Sequence, residues 1–543
     1  MKNTRKILSG IFLVIAVSFS FSYKSDFFEI AKQIEIYTTL FKELNLYYID
    51  EINPAEVMDR AIENTLKDLD PYTTFYDEQG VENARIAAEG EYGGIGASIA
   101  FRNGGLIVRE VYKDFPAHNA GLIPGDKIVK VDNVILKEHD EQFVRSLLKG
   151  LPGSTINVQF ERQGELKSLE LERETVELNP VPFYDMIDDE VGYISFIKFN
   201  RKASQEVKNA FMDLKAQGMK KLIIDVRHNP GGLLGEAVNI VNFFIPKDRV
   251  VVTTRAKLDK WSTTFKTKNE PLDLEMPVTI VIDERSASAS EILAGALQDY
   301  DRAVVVGQRS FGKGLVQRSR KLSYGTQLKL TISKYYTPSG RCIQELDYTN
   351  RNLETGEIPK FSDGDVSTFK TTNGRTVYDG GGVTPDVLVE QNELSEASKK
   401  LLLSEIPFNY ATRYYFKNGK IEPPKTFKLT SQDFNDYQEY VSNNSEEFKL
   451  DSEIIFAKSE ELFMEENVDA KNELSKLSEK INSQKLALIS ENETRILKDL
   501  ENRIVNRFYF KEGEYKHKML FDDEIKEATA LLNNASAYHK ILD

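Results

Sequence analysis

The chain has 543 residues and a formal net charge of −14, which is length enough for three or four domains and the wrong sign for binding a phosphate backbone. No run of lysine and arginine with interleaved aromatics occurs, so nucleic acid is set aside as a partner. The single cysteine, Cys342, allows neither an intrachain disulfide nor a cysteine-rich metal site, and it reads as a strand residue.

Lys2, Arg5 and Lys6 precede an apolar run over residues 7–21, shorter than the roughly twenty residues that span a bilayer. Ser18-x-Ser20 and Ser20-x-Ser22 offer small-residue cleavage sites. Residues 1–22 are therefore expected to be a secretory signal, with an uncleaved inner-membrane anchor as the alternative. Residues 23–88 read as helices and end in Asp70-Pro71-Tyr72-Thr73-Thr74-Phe75. Residues 89–176 read as several short strands with one helix. Within them, Gly93-Gly94-Ile95-Gly96 alone suggests a hairpin turn, and the strand-like alternation after it excludes a dinucleotide fingerprint.

Residues 177–390 alternate strand and helix patterns. Lys221 to Val226 reads as a core strand and Leu234 to Phe244 as a helix, with Asp225-Val226-Arg227-His228-Asn229-Pro230-Gly231-Gly232 turning between them. Val278 to Asp283 reads as a buried strand. Ser288-Ala289-Ser290-Glu291 fits a capping box that starts a helix running to Asp299. Ser288 thus sits at a strand-to-helix turn, where unpaired backbone N–H groups and the helix dipole are available to a developing oxyanion. A serine hydroxyl needs a base, and none of the five histidines lies in a segment that pairs it with Ser288. Lys313, in Phe311-Gly312-Lys313-Gly314, is the candidate.

Two other motifs overlap that lysine. Gly307 to Lys313 matches G-x-x-x-x-G-K after the apolar strand Ala303 to Val306, but Gly314 stands where a phosphate loop needs Ser or Thr, and more strand follows instead of a helix. Ser310 to Lys313 matches S-x-x-K, yet the K-T-G companion is absent and glycines 312 and 314 argue for a turn. The polar stretch 347–378 reads as a loop or small insertion. Residues 391–543 are charged and helical, with apolar stripes at Leu474, Leu477, Ile481 and Leu488 and at Leu497, Leu500 and Ile504. They suit helices packed on the core, or else an arm that binds a partner or a second copy in a homo-oligomer.

Five segments in order, DVRHNPGG from Asp225, SASASEILAGALQD from Ser286, FGKGLVQ from Phe311, YYTPSGRCIQ from Tyr335 and GVTPD from Gly382, resemble the carboxy-terminal processing peptidases, also called tail-specific proteases. The resemblance spans roughly residues 30–390. It implies a mixed α/β, crotonase/ClpP-like protease core over 177–390 with an inserted PDZ domain over 89–176. It makes Ser288 the nucleophile, Lys313 the general base and Gln317 the group that orients the lysine amine. Glutamine is chemically apt there, because it accepts a hydrogen bond without a charge that would raise the lysine's pKa. The oxyanion hole is implied at the N–H of Ala289 and of one glycine in Gly231-Gly232.

Tyr92 to Gly96, Ala117 to Asp126 and Leu148 to Gly150 are similar to a PDZ domain that adds an extended peptide as a strand and holds its terminal carboxylate on a loop, here Gly94-Ile95-Gly96. Many relatives have Arg-Gly where this chain has Lys149-Gly150, and lysine does not reproduce a bidentate arginine contact. The expected protein is thus a periplasmic serine endopeptidase acting on proteins with free C-termini, with no metal, nucleotide or other cofactor. The alternatives are an inactive PDZ adaptor that binds tails without cutting and a nucleotide-dependent protein.

Overall fold

The computed structural model describes residues 27–352, 354–364, 366–390, 393–466 and 471–543. The segment expected to direct export lies outside these residues, and no helix among them is long and apolar enough to cross a membrane. The chain divides at Phe75 into two units. In the first, a helix over 27–47 is followed by Pro54–Leu66, which Asn53 caps by accepting the Ala55 N–H.

In the second unit, helix Glu78–Glu89 ends at Gly90, whose φ of 79° stops it in the left-handed region. A sheet then runs in the order Ala97–Arg102, Gly105–Val111, Lys127–Val131, Thr155–Arg162, Glu165–Glu172, with helix Glu141–Ser146 beside it. Its core holds Leu106, Val108, Ile128, Val144, Val158 and Phe160. The antiparallel pair Glu91–Gly94 and Glu174–Glu177 closes the entry to this module against its exit.

The central sheet has the order Phe183–Met186, Val191–Ser195, Lys221–Asp225, Val278–Ile282, Val304–Gly307, Val387–Leu388. Only its first pair is antiparallel. A parallel strand covered on both faces needs apolar residues in succession, and all five residues of Val278–Ile282 are buried. Ile280 and Ile282 share a core with helices Ala203–Ala216, Leu234–Val241 and Ala289–Asp299. Val281 belongs to the opposite face, closed by helices Asp523–Asn533 and Ala535–Leu542 through Ile525, Leu531, Leu532 and Tyr538. The Tyr538 hydroxyl accepts the Val278 N–H and donates to the Val278 carbonyl, at 3.0 and 2.9 Å. A second sheet, in the order Leu315–Lys321, Gln327–Tyr336, Val250–Ala256, Thr263–Lys266, carries the segment after Lys313.

The C-terminal helices therefore dock on the central sheet and also build a core of their own around Tyr437, Ile489, Ile496, Leu500 and Ile504. The stripe at Leu500 and Ile504 is buried as its spacing suggests, but Leu477 and Leu488 are exposed. Helix Lys471–Ser490 turns a different face inward, because Lys485 is buried against Glu453 at 3.0 Å and the Phe448 carbonyl at 3.1 Å. Cys342 is not in a strand. The Pro338-Ser339-Gly340 turn ends the sheet at Tyr336, and Cys342 follows in irregular chain. The polar 347–378 segment contains a small hairpin, Thr368–Lys370 with Thr376–Tyr378, next to which Arg375 pairs with Asp301 and Asp386, both at 2.6 Å.

Candidate active site

Strand Val278–Ile282 leads through a short turn to helix Ala289–Asp299, and Ser288 stands at the junction with φ 57° and ψ −109°. A non-glycine residue in that region costs about 1–3 kcal/mol and persists only where its surroundings hold it. Three contacts do so. The Ser288 N–H donates to Glu291 Oε2 at 2.7 Å, the Tyr335 hydroxyl donates to the Ser288 carbonyl at 3.0 Å, and the Ala287 N–H donates to the Asn229 carbonyl at 3.0 Å. The structure also separates the three serines of the segment. Ser286 and Ser290 are fully buried and donate to the carbonyls of Val226 and Asn229, both at 2.8 Å. Ser288 is half-exposed. The Ala289 N–H beside it has no acceptor among the described residues.

Asn229, fully buried, binds the glycine loop to this turn. Its carbonyl accepts from Ala287 and Ser290, its Nδ2 donates to the Phe196 carbonyl at 2.9 Å, and its Oδ1 accepts the Gly231 N–H at 2.9 Å. The Gly232 N–H, in contrast, donates to nothing among the described residues. Gly231 has φ 88°, and a Cβ added there would lie 2.8 Å from the Ala289 nitrogen and 3.0 Å from the Ser288 Cβ. The missing side chain leaves room in front of the Ala289 N–H.

Lys313 is half-buried in an extended loop that leads into strand Leu315–Lys321. Its N–H donates to Glu291 Oε2 at 2.9 Å, the same atom that accepts the Ser288 N–H. The other oxygen, Oε1, accepts the Ser310 hydroxyl at 2.6 Å and the Gly312 N–H at 2.7 Å. Burial pushes the Glu291 carboxyl up to about 7, against the opposing pull of these donors. Gln317 follows a β-bulge at Val316/Gln317 and donates its Nε2 to Thr331 Oγ1 at 3.1 Å. The strand after Gly314 and the engagement of Ser310 with Glu291 remove both competing readings of this loop.

In the loop Gly94-Ile95-Gly96, Gly96 has φ 72°, and a Cβ there would meet the Phe115 Cβ at 2.3 Å. The Ile95 and Gly96 carbonyls turn inward to accept Ala117 and Tyr112, both at 2.8 Å. The Ile95 and Gly96 N–H groups donate to nothing among the described residues. Lys149 donates to Asn83 Oδ1 at 3.2 Å, on helix Glu78–Glu89. Among the described residues no His, Cys, Asp and Glu side chains cluster in a way that holds a metal.

Residues 93–172 match the description "PDZ domain", 190–350 "Peptidase family S41", and 397–532 "Probable PDZ-protease, C-terminal helical domain". The chain is 31% identical over 348 residues to the "Carboxy-terminal-processing protease" of Bartonella bacilliformis, covering 63% of this chain and 79% of that one. It belongs to peptidase family S41. It is also 35% identical over 309 residues to a "Probable CtpA-like serine protease" of Staphylococcus aureus, over 56% of this chain and 61% of that relative's length. Among solved structures it is similar to the photosystem II D1 C-terminal processing protease, with 26% identity over 66% of this chain and 88% of that one and a TM-score of 0.36.

Two members of this S41 site have a larger part than the sequence suggests. Glu291 reads only as the end of a capping box, yet it also binds the lysine loop. Asn229 reads as part of a turn, yet it fastens the glycine loop to the Ser288 turn. Their signals are S-x-x-E and the Asn before Pro-Gly-Gly, each common on its own. Arg227 extends the network to the C-terminal helices. It pairs with Asp225 at 2.6 Å, Asp522 at 2.9 Å and Glu524 at 3.2 Å, and it lines a cavity of about 930 Å³ between the PDZ, protease and helical parts.

Proposed function

We propose that the chain is a serine endopeptidase that cuts other proteins near their C-termini, with Ser288 as nucleophile and Lys313 as general base. The observation that carries this reading is the shared acceptor. One oxygen of Glu291 binds the backbone N–H of both residues, which supports their acting on the same substrate bond.

In this mechanism the neutral form of the Lys313 amine takes the proton from the Ser288 hydroxyl as its oxygen attacks the peptide carbonyl. Gln317, whose amide N–H is engaged by Thr331, offers its amide oxygen to the lysine. The Ala289 and Gly232 N–H groups receive the oxyanion, and Gly231 keeps the space before them open. Lys313 then passes its proton to the leaving amine; water, deprotonated in turn by Lys313, attacks the acyl carbonyl, and Lys313 returns that proton to the Ser288 oxygen as the acyl group leaves as a carboxylate.

The PDZ module delivers the substrate. Its Ile95 and Gly96 N–H groups take the tail carboxylate, and the open edge of Ala97–Arg102 takes the extended chain. The basic and apolar start of the chain favours export to a periplasm, which N-terminal sequencing of the mature protein tests.

The deciding experiment compares wild type, Ser288→Ala and Lys313→Ala on an unfolded reporter with an apolar C-terminal tail, by intact mass spectrometry, and repeats it with the tail carboxylate amidated. Cutting by wild type alone, weakened by amidation, is expected. Equal cutting by all three proteins removes the dyad, and binding without any cutting favours the adaptor.

A further inference from the structure

The PDZ sheet ends at strand Ala97–Arg102, which pairs on one side only, with Gly105–Val111. An edge strand presents outward N–H and C=O groups with which an incoming peptide pairs. One of these is already taken. The Ile99 carbonyl accepts Arg145 Nη1 at 2.9 Å. Arg145 stands on helix Glu141–Ser146, across the groove from that strand, and its Nε is held by Glu141 Oε1 at 2.7 Å, one turn back. The guanidinium therefore bridges helix and strand while its side chain stays 38% exposed, so it can be displaced into water without leaving a buried charge.

Resting on the tail-capture reading, we infer that Arg145 is an internal competitor for the substrate tail. A carboxylate seated at Ile95 and Gly96 places the last residues of the tail before the Ile99 acceptor is reached. At a strand's rise, that acceptor lies roughly 10 Å along, opposite about the third residue from the end. Terminal residues enter without disturbing Arg145. A longer extended tail gains its next main-chain hydrogen bond only by replacing the guanidinium. The arginine thus sets how much of a tail the groove reads, and it weakens long tails relative to what the open edge would otherwise give them.

The test uses the full chain carrying Ser288→Ala, so that nothing is cut, and two apolar peptides with free carboxylates, of about eight and about two residues, the second too short to reach Ile99. Affinities are read by fluorescence anisotropy and competition, with circular dichroism to confirm folding. Arg145→Met keeps the aliphatic stem and removes the donors. It is expected to bind the long peptide about fivefold more tightly and the short one unchanged. Glu141→Gln, which loosens the second anchor of the guanidinium, shifts the long peptide the same way by less. Unchanged or weaker long-peptide binding in Arg145→Met overturns the inference, as does an equal gain for both lengths. If neither peptide binds any of the proteins, tail capture itself fails and the inference with it. Long-peptide binding that ignores Arg145 leaves capture standing.

Discussion

Replacing Glu291 by alanine removes the acceptor of four donors at once: the Ser288, Gly312 and Lys313 N–H groups and the Ser310 hydroxyl. Each buried donor left unpaired costs roughly 1–3 kcal/mol, so the loss in stability amounts to several kcal/mol where water does not refill the site. Above pH 7 part of it is offset by about 3 kcal/mol, because the variant no longer ionises a carboxyl that burial lifts to about 7 from 4.5. The larger expected effect is on rate. With their common anchor gone, the Ser288 turn and the Lys313 loop are free to separate, and in the proposed mechanism a shift near 1 Å costs about a hundredfold in turnover. The assay is kcat and KM on the tailed reporter below the melting temperature, together with tail affinity by anisotropy. The expected result is kcat lower by about a hundredfold, tail affinity unchanged, and partial recovery in Glu291→Gln, whose amide oxygen can still accept from one pair of donors. A folded Glu291→Ala protein with kcat within about threefold of wild type refutes the reasoning.

Gly231→Ala places a methyl group 2.8 Å from the Ala289 nitrogen, so kcat should fall by about a hundredfold or more while tail binding persists; single-turnover acylation measures this. Because the folded-state pKa of Glu291 lies above its ordinary value, its contribution to stability is present at low pH and lost as pH rises through about 7. Urea unfolding of Ser288→Ala at pH 5 and 8 should show this as a loss of about 2.5 kcal/mol that Glu291→Gln abolishes, and an unaltered difference in that variant contradicts it. Arg227→Met leaves Asp225, Asp522 and Glu524 without their shared cation and should cost roughly 3–5 kcal/mol in denaturant unfolding.

The sequence makes the strand-turn-helix around Ser288 legible because apolar runs, a capping signal and glycines fall in a strict local order. The same locality explains what it hides. Glu291 and Lys313 are joined by a bond between a side chain and a distant backbone N–H, and nothing in either segment's composition marks that pairing. Asn229 is similar, since its value lies in three partners on other elements. Stripe reading succeeds at Leu500 and Ile504, where one helix face meets one core. It fails at Leu477 and Leu488, because the cation of Lys485 can be buried once Glu453 and a carbonyl meet it. The Arg145 bridge lies beyond any pattern of spacing, because an arginine one turn after a glutamate is an ordinary helix pair until the Ile99 carbonyl is brought beside it.

The far face of the central sheet is closed by helices Asp523–Asn533 and Ala535–Leu542, more than two hundred positions after the last of the strands that carry the candidate catalytic loops. During synthesis those strands emerge with one face bare, and Arg227 emerges without Asp522. Contacts that span so much chain form late. The order of translation therefore acts as a delay: a nascent chain carries Ser288 and Lys313 long before the helices that close the far face of the central sheet have been made.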